Sequence, residues 1–201
     1  MKRVILLLAA MTLTLLVASG VALAVTRIGT DGPDHLRGTN GDDQLVGLGG
    51  NDELFAFRGN DSLLGGPGKD MLWARTNTGG SYGGRKNMLG GPGNDFVYGG
   101  KDSDNIMGGG GKDYLFEGAE PDVAKPDYIS AGEGTDAVWV LNWSPRGKDF
   151  VSCGGGFDRV LADRTDVIAP DCERVFFGRR NIDAFFESIP QSFYDSVPGF
   201  S

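Results

Sequence analysis

From Gly29 to Trp73, a large apolar residue returns every nine positions: Leu36, Leu45, Leu54, Leu63 and Leu72. An aspartate stands two residues before each (Asp34, Asp43, Asp52, Asp61, Asp70), and a glycine two residues before each aspartate (Gly32, Gly41, Gly50, Gly59, Gly68). Over positions one to nine the unit reads G-G-x-G-x-D-x-U-x, with U a large apolar residue. Glycines in the first six positions permit a tight turn with positive φ angles. Positions seven to nine then point outward, inward and outward, as a strand requires. A three-residue strand buries nothing alone. Parallel strands stacked roughly 4.8 Å apart turn the U residues into a column, each buried Leu, Ile or Val contributing roughly 1.5–3 kcal/mol. Two units make one coil. The pattern predicts an all-β chain: a right-handed parallel β-roll, a flattened solenoid with strands on two faces.

The rhythm is broken and resumed. Residues 74–89 interrupt it, ending in a repeat-like N-M-L with Lys86 or Asn87 at the acidic position, depending on register. A second regular block, Gly90 to Phe116, places Asp95, Asp104 and Asp113 before Val97, Ile106 and Leu115. Insertions at 117–121 and 140–143 separate further units built on Asp127, Asp136, Asp149 and Asp158, so twelve repeats carry Asp at position six. The roll is expected to span 25–175. Residues 176–201 are aromatic and aperiodic. Phe176, Phe177, Phe185 and Phe186 are expected to fold over the last coil as a C-terminal cap, because a solenoid exposes an apolar end; a docking segment for a partner is the alternative.

Residues 1–24 read as a secretory signal peptide. Lys2 and Arg3 precede an apolar run over 4–17, and Ala22-Leu23-Ala24 offers a cleavage site. An uncleaved anchor competes with this reading, but the run is short for a span, and no later stretch is apolar enough to cross a membrane. Cleavage leaves 17 basic against 27 acidic residues, a net charge of −10. Such a chain repels nucleic acid and anionic lipid and suits cations.

The coil geometry makes that preference specific. Each position-six aspartate lies over the one a full coil later, and like charges about 5 Å apart repel by about 1–3 kcal/mol. A cation between them offsets this. Calcium takes six to eight oxygens in irregular geometry, and glycine-rich turns expose carbonyls to complete the shell, whereas zinc requires His or Cys, which the turns lack. The pairs 34/52, 43/61, 52/70 and 95/113 are adjacent in register. Asp104 lacks a clean successor across 117–121. The coils from Asp127 to Asp158, with Lys125, Pro126, Arg146 and Lys148 near their turns, read equally well as held mainly by apolar stacking.

The repeats resemble the hemolysin-type (RTX) calcium-binding nonapeptide. The resemblance covers most of Gly29 to Leu161 and implies a parallel β-roll with Ca2+ as its cofactor. It implies carboxylate ligands at Asp34, Asp43, Asp52, Asp61, Asp70, Asp95, Asp104 and Asp113, with oxygens from position-three residues Asp31 and Asn40 as secondary candidates. The layout, with an N-terminal signal and a closing D-V-I-A-P-D-C-E-R-V, is similar to small secreted bacterial calcium-binding proteins. It departs from the family's large toxins, which carry an effector domain and a C-terminal export signal.

Other chemistry is thinner. Cys153 occupies position one, and one coil later falls residue 171, beside Cys172. A Cys153–Cys172 disulfide is expected in an oxidising compartment, fastening coils that lack glycine turns. The single histidine, His35, sits at outward position seven and belongs to no catalytic set. Glu117, Glu120 and Glu133 lie in or beside loops and read as solvated. Arg75, Tyr82, Arg85 and Lys86, with Trp139 and Trp143, suggest a polysaccharide-binding surface or a lyase- or epimerase-like enzyme. The leading expectation is a secreted, extracellular, non-enzymatic calcium-binding protein. Its partners would be calcium ions and a cell-surface or matrix polysaccharide, with no nucleic acid and no membrane span after cleavage.

Overall fold

The computed structural model describes residues 23–74, 84–100, 102–118, 125–141 and 148–198. One sheet takes β1 (Thr26–Ile28), β3 (Gln44–Val46), β5 (Asp61–Leu64), β7 (Lys86–Pro92), β9 (Asn105–Gly111), β11 (Tyr128–Gly134), β13 (Phe150–Gly156) and β15 (Val167–Ile168), in that spatial order. The other takes β2 (His35–Arg37), β4 (Glu53–Phe55), β6 (Met71–Trp73), β8 (Phe96–Tyr98), β10 (Tyr114–Phe116), β12 (Ala137–Val140), β14 (Arg159–Ala162) and β16 (Arg174–Phe177). Neighbouring strands are parallel throughout, and the chain alternates between sheets, so each coil gives one strand to each face. This is the β-roll that the nine-residue period predicts.

Position eight forms the core. On one face Leu36, Leu54, Leu72, Val97, Leu115, Val138, Val160 and Val175 stack in register. On the other, Leu45, Leu63, Met88, Ile106, Ile129, Val151 and Ile168 do the same. The two columns meet in a single cluster. Pairing of Met88 with Leu63 resolves the ambiguous register after the first interruption: Lys86, not Asn87, stands opposite Asp61 at position six. Glycine is required where coils touch at their turns. A side chain on Gly111, whose φ is +141°, would run into the carbonyl oxygen of Gly93 one coil back.

All three interruptions fall where the chain leaves the second sheet for the first: between β6 and β7, β10 and β11, and β12 and β13. The opposite edge carries none, and there β7, β9, β11 and β13 run seven residues each, continuing the strand ladder into the turn.

The tail departs from expectation. Helices α1 (Ile182–Ser188) and α2 (Gln191–Tyr194) lie along the outer flank of the second sheet, not over the end of the last coil. Phe185, Ile189, Phe193 and Val197 are buried with Phe96, Tyr98, Tyr114 and Leu161. The cause lies in outward positions seven and nine. From β6 onward these hold Met71, Trp73, Phe96, Tyr98, Tyr114, Phe116 and Trp139, an apolar strip that water would otherwise cover. Phe177, expected in the cap, stays partly exposed. The Cys153–Cys172 disulfide is present, with Cα atoms 5.1 Å apart. Among the described residues no helix is long and apolar enough to cross a membrane. Residues 1–22, and with them most of the signal segment, lie outside the described residues, as do Arg75, Tyr82, Glu120, Trp143 and Arg146.

Candidate metal centre

Position six ends the turn and points inward, one step before the core residue, so its carboxylate sits at the rim of the core. Asp43, Asp52, Asp61, Asp70, Asp95, Asp104 and Asp113 are all buried, and so are Asp127, Asp136, Asp149 and Asp158. They form two columns, one along each edge of the roll. The first edge, entered from the first sheet, carries Asp34, Asp52, Asp70, Asp95, Asp113, Asp136 and Asp158. The second carries Asp43, Asp61, Asp104, Asp127, Asp149 and Asp166.

Half of each carboxylate is already committed. Its Oδ1 accepts a hydrogen bond from the backbone N–H of the aspartate one coil back: Asp34 to Asp52 at 2.9 Å, Asp52 to Asp70 at 2.8 Å, Asp95 to Asp113 at 2.9 Å. Interruptions leave this rung unchanged, since Asp70 donates to Asp95 at 2.9 Å across 25 residues. Asp104 does have a successor, donating to Asp127 at 2.6 Å, because the extra residues between them leave the register of β9 and β11 intact. The coils from Asp127 to Asp158 continue both columns rather than resting on apolar stacking alone. A second ladder runs outside the first, at position five. Asn51, Asn60 and Asn94 accept the N–H of Lys69, Arg85 and Lys112 one coil on, at 2.8–3.0 Å.

On the first edge the other half is uncommitted from Asp52 onward: Oδ2 of Asp52, Asp70, Asp95, Asp113, Asp136 and Asp158 is buried and has no hydrogen-bond partner among the described residues. Position-one glycines let oxygens crowd together there. A methyl group on Gly65 would run into Asp70 Oδ2 and stand 2.6 Å from the carbonyl oxygen of Gly90. Burial drives these acids toward their protonated form. The hydrogen bond from the preceding N–H opposes the shift in part, and the preceding carboxylate reinforces it. Asp70 rises to about 6, and Asp95, Asp113 and Asp136 to about 8. A column of buried, oxygen-only donors lacking counter-charge fits a hard divalent cation such as calcium, and offers nothing to a soft one.

The second edge is edited. Thr39 donates its N–H and hydroxyl to Asp43, as Thr30 does to Asp34 at the start of the first edge. Both of these carboxylates lie in the most regular block. Where the third coil should supply an aspartate, Lys86 supplies an ammonium. Its Nζ lies 3.1 Å from Asp61 Oδ2 and donates to the carbonyl oxygens of Gly59 at 2.6 Å and Gly84 at 3.1 Å. A carboxylate and two turn carbonyls around one positive charge make a cation site filled by the protein's own side chain. Farther along, Glu117 is buried rather than solvated as expected, because it stands at inward-facing position one. Burial, then Asp149 and Asp127, push its carboxyl well above the usual range.

Both columns end without glycine turns. Asp166 accepts from the N–H groups of Asp149 and Asp163, and Glu173 from that of Asp158 at 2.8 Å. Asp31 and Asn40 are exposed at the surface, unlike either column. His35 is exposed and pairs with Glu53 at 2.7 Å.

Comparison with known families addresses this arrangement directly. The family model described as RTX calcium-binding nonapeptide repeat (4 copies) matches residues 28–56, 37–72 and 87–119. The matched segments are RTX repeats. No curated protein and no solved structure matches the chain. The matches stop at residue 119, yet the same coil and carboxylate ladder continue to Asp158. Lys86 at position six and Glu117 at position one depart from the residues the motif asks for, while Asp166 and Glu173 extend the carboxylate columns beyond its glycine turns.

Proposed function

We propose that the protein is a secreted, non-enzymatic calcium-binding module whose roll closes as calcium enters the two carboxylate columns. One observation carries this reading: six stacked, buried carboxylate oxygens on one edge that no group among the described residues satisfies. Asp52, Asp70, Asp95, Asp113, Asp136 and Asp158 would hold the ions on that edge, with turn carbonyls beside them. Asp104, Asp127 and Asp149 would do so on the other. Bound calcium supplies positive charge and multiple oxygen coordination between successive coils. The protein's part is to hold Oδ1 of each aspartate on a backbone N–H, so that Oδ2 faces the space between coils. Without the ion, the columns hold buried negative charge and the coils separate.

Secretion is supported by the leader-like segment 1–24 and by a disulfide suited to an oxidising compartment. The rigid product would present its open flank outside the cell. The polysaccharide alternative loses two of its residues: Lys86 is buried in the second column, and Trp139 packs against Phe116, Phe185 and Phe186 beneath the tail. The test is far-UV circular dichroism and thermal unfolding of the mature chain in calcium, then in excess chelator. Strand signal and melting temperature should both fall on chelation; unchanged values would sink the proposal.

A further inference from the structure

Glu117 is placed where an RTX repeat has no use for a carboxylate. Position one holds glycine in many coils, and alanine, valine or cysteine where it points into the core, as at Ala56, Ala131, Val140 and Cys153. Glu117 follows β10, and its backbone is pinned there. Its N–H donates to the carbonyl of Trp139 at 3.1 Å, and its own carbonyl accepts from Gly100 at 2.7 Å. The side chain therefore has one direction to take, inward to the second edge. It is 1% exposed, and neither carboxylate oxygen has a hydrogen-bond donor. Glu117 forms no ion pair among the described residues. One oxygen each from Glu117, Asp127 and Asp149 lie within 4.8 Å of one another.

We propose that Glu117, Asp127 and Asp149 form a three-carboxylate calcium site, tighter than the two-carboxylate steps elsewhere in the columns and filled before them. The inference rests on the calcium reading above and deepens it. A Ca–O distance of roughly 2.3–2.6 Å lets one ion touch three oxygens spaced in this way. The donors are all hard oxygens, which selects calcium over zinc or copper. Affinity in oxygen sites rises with the number of charged ligands and with rigidity. Here the three carboxylates come from three successive stretches of the roll, each fixed by a strand: Glu117 after β10, Asp127 before β11 and Asp149 before β13. The ion would order the middle of the roll first, joining the coils on either side of the 117–121 interruption. Glu117 also lies close enough to Asp149 for the two to share a proton, and that competing occupant predicts a different outcome.

The experiment is calorimetric titration of the full mature chain with calcium alone, for wild type, Glu117→Gln and Glu117→Gly, with Asp136→Asn as the first-edge comparator. Wild type should show one binding step at least tenfold tighter than the rest. Both Glu117 variants should lose that step and keep the weaker ones. The glycine variant restores the residue of many other coils, and circular dichroism at saturating calcium checks that each variant folds. Asp136→Asn should keep the tight step. If calcium binds wild type and both Glu117 variants alike, the site is refuted. This holds also if Glu117 merely shares a proton, because glutamine supplies that hydrogen itself. Wild-type binding without a distinct tight step refutes it as well. Absence of any calcium binding would instead overturn the broader function, and this site with it.

Discussion

The two edges of the roll are built from one repeat and do opposite things with it. The first edge is uniform. Its strands run on into the turns, no interruption enters it, and it leaves one carboxylate oxygen after another without a partner. The second edge receives every interruption, and its steps are neutralised in several different ways. A threonine satisfies Asp43, a lysine replaces an aspartate opposite Asp61, and a glutamate joins Asp127 and Asp149. A repeat thus sets where carboxylates stand, while single residues at the turns decide how each step is neutralised: by a hydroxyl, by an ammonium or by an ion from solution.

The comparison breaks first, and most widely, if calcium is withdrawn. A site at a hundred times its dissociation constant adds about 2.7 kcal/mol, so two such sites match the roughly 5 kcal/mol at the low end of a whole domain's stability. Urea unfolding in chelator should therefore show the cooperative transition weakened or lost, with calcium restoring it. A midpoint indifferent to calcium would mean the first edge is stable as it stands.

Acidity should show the burial of the columns next. Between the ordinary carboxyl value of 3.8 and about 8, folded Asp95, Asp113 and Asp136 keep protons that the unfolded chain has released. Stability then falls as pH rises across that window. In chelator the melting temperature should be higher at pH 5 than at pH 7, and lowest near pH 9. Saturating calcium should flatten the slope, and a chelated protein that gained stability with rising pH would contradict the burial of these acids.

Lys86→Met tests the step that an ammonium neutralises. Removing one partner of a buried pair costs about 3–5 kcal/mol, and the loss should appear in chelator by urea titration. Lys86→Asp should instead add one calcium to the stoichiometry measured by equilibrium dialysis. Equal stoichiometry would show that the lysine does not stand in an ion's place. The smallest effect belongs to the outer ladder. Asn94→Ala removes the acceptor for the Lys112 N–H and should cost about 1 kcal/mol, with calcium stoichiometry unchanged.

Much of this was legible before any coordinates. Leucines and aspartates at fixed positions in a nine-residue unit leave little choice but a stacked roll, because a one-residue slip would turn every core side chain outward. Inserted residues change sequence spacing without touching register, which is why Asp104 seemed to lack a partner and has one. What escaped was written where single residues depart from the motif. Lys86 hid in an interrupted repeat whose register only strand pairing resolves. Glu117 reads as a solvated loop residue, although position one faces inward and the other residues buried there are glycine, alanine, valine or cysteine. The flank was signalled too. His35, Arg37 and Glu53 point outward early in the second sheet, whereas Phe96, Tyr98, Tyr114 and Phe116 do so later. Aromatics at solvent-facing positions called for a cover, and the tail was the remaining segment able to supply it.

That cover changes how the molecule comes apart. A solenoid touches only its nearest neighbours, so it frays from its ends one coil at a time. Here Val197 and Pro198 share a cleft with Asn51, Lys69 and Met71, while Phe185 packs on the strip farther along. The last stretch of chain is lashed lengthwise across the coils it must outlast, binding early and late repeats to one fate. A stack that would unzip gradually becomes a body that opens all at once or stays shut.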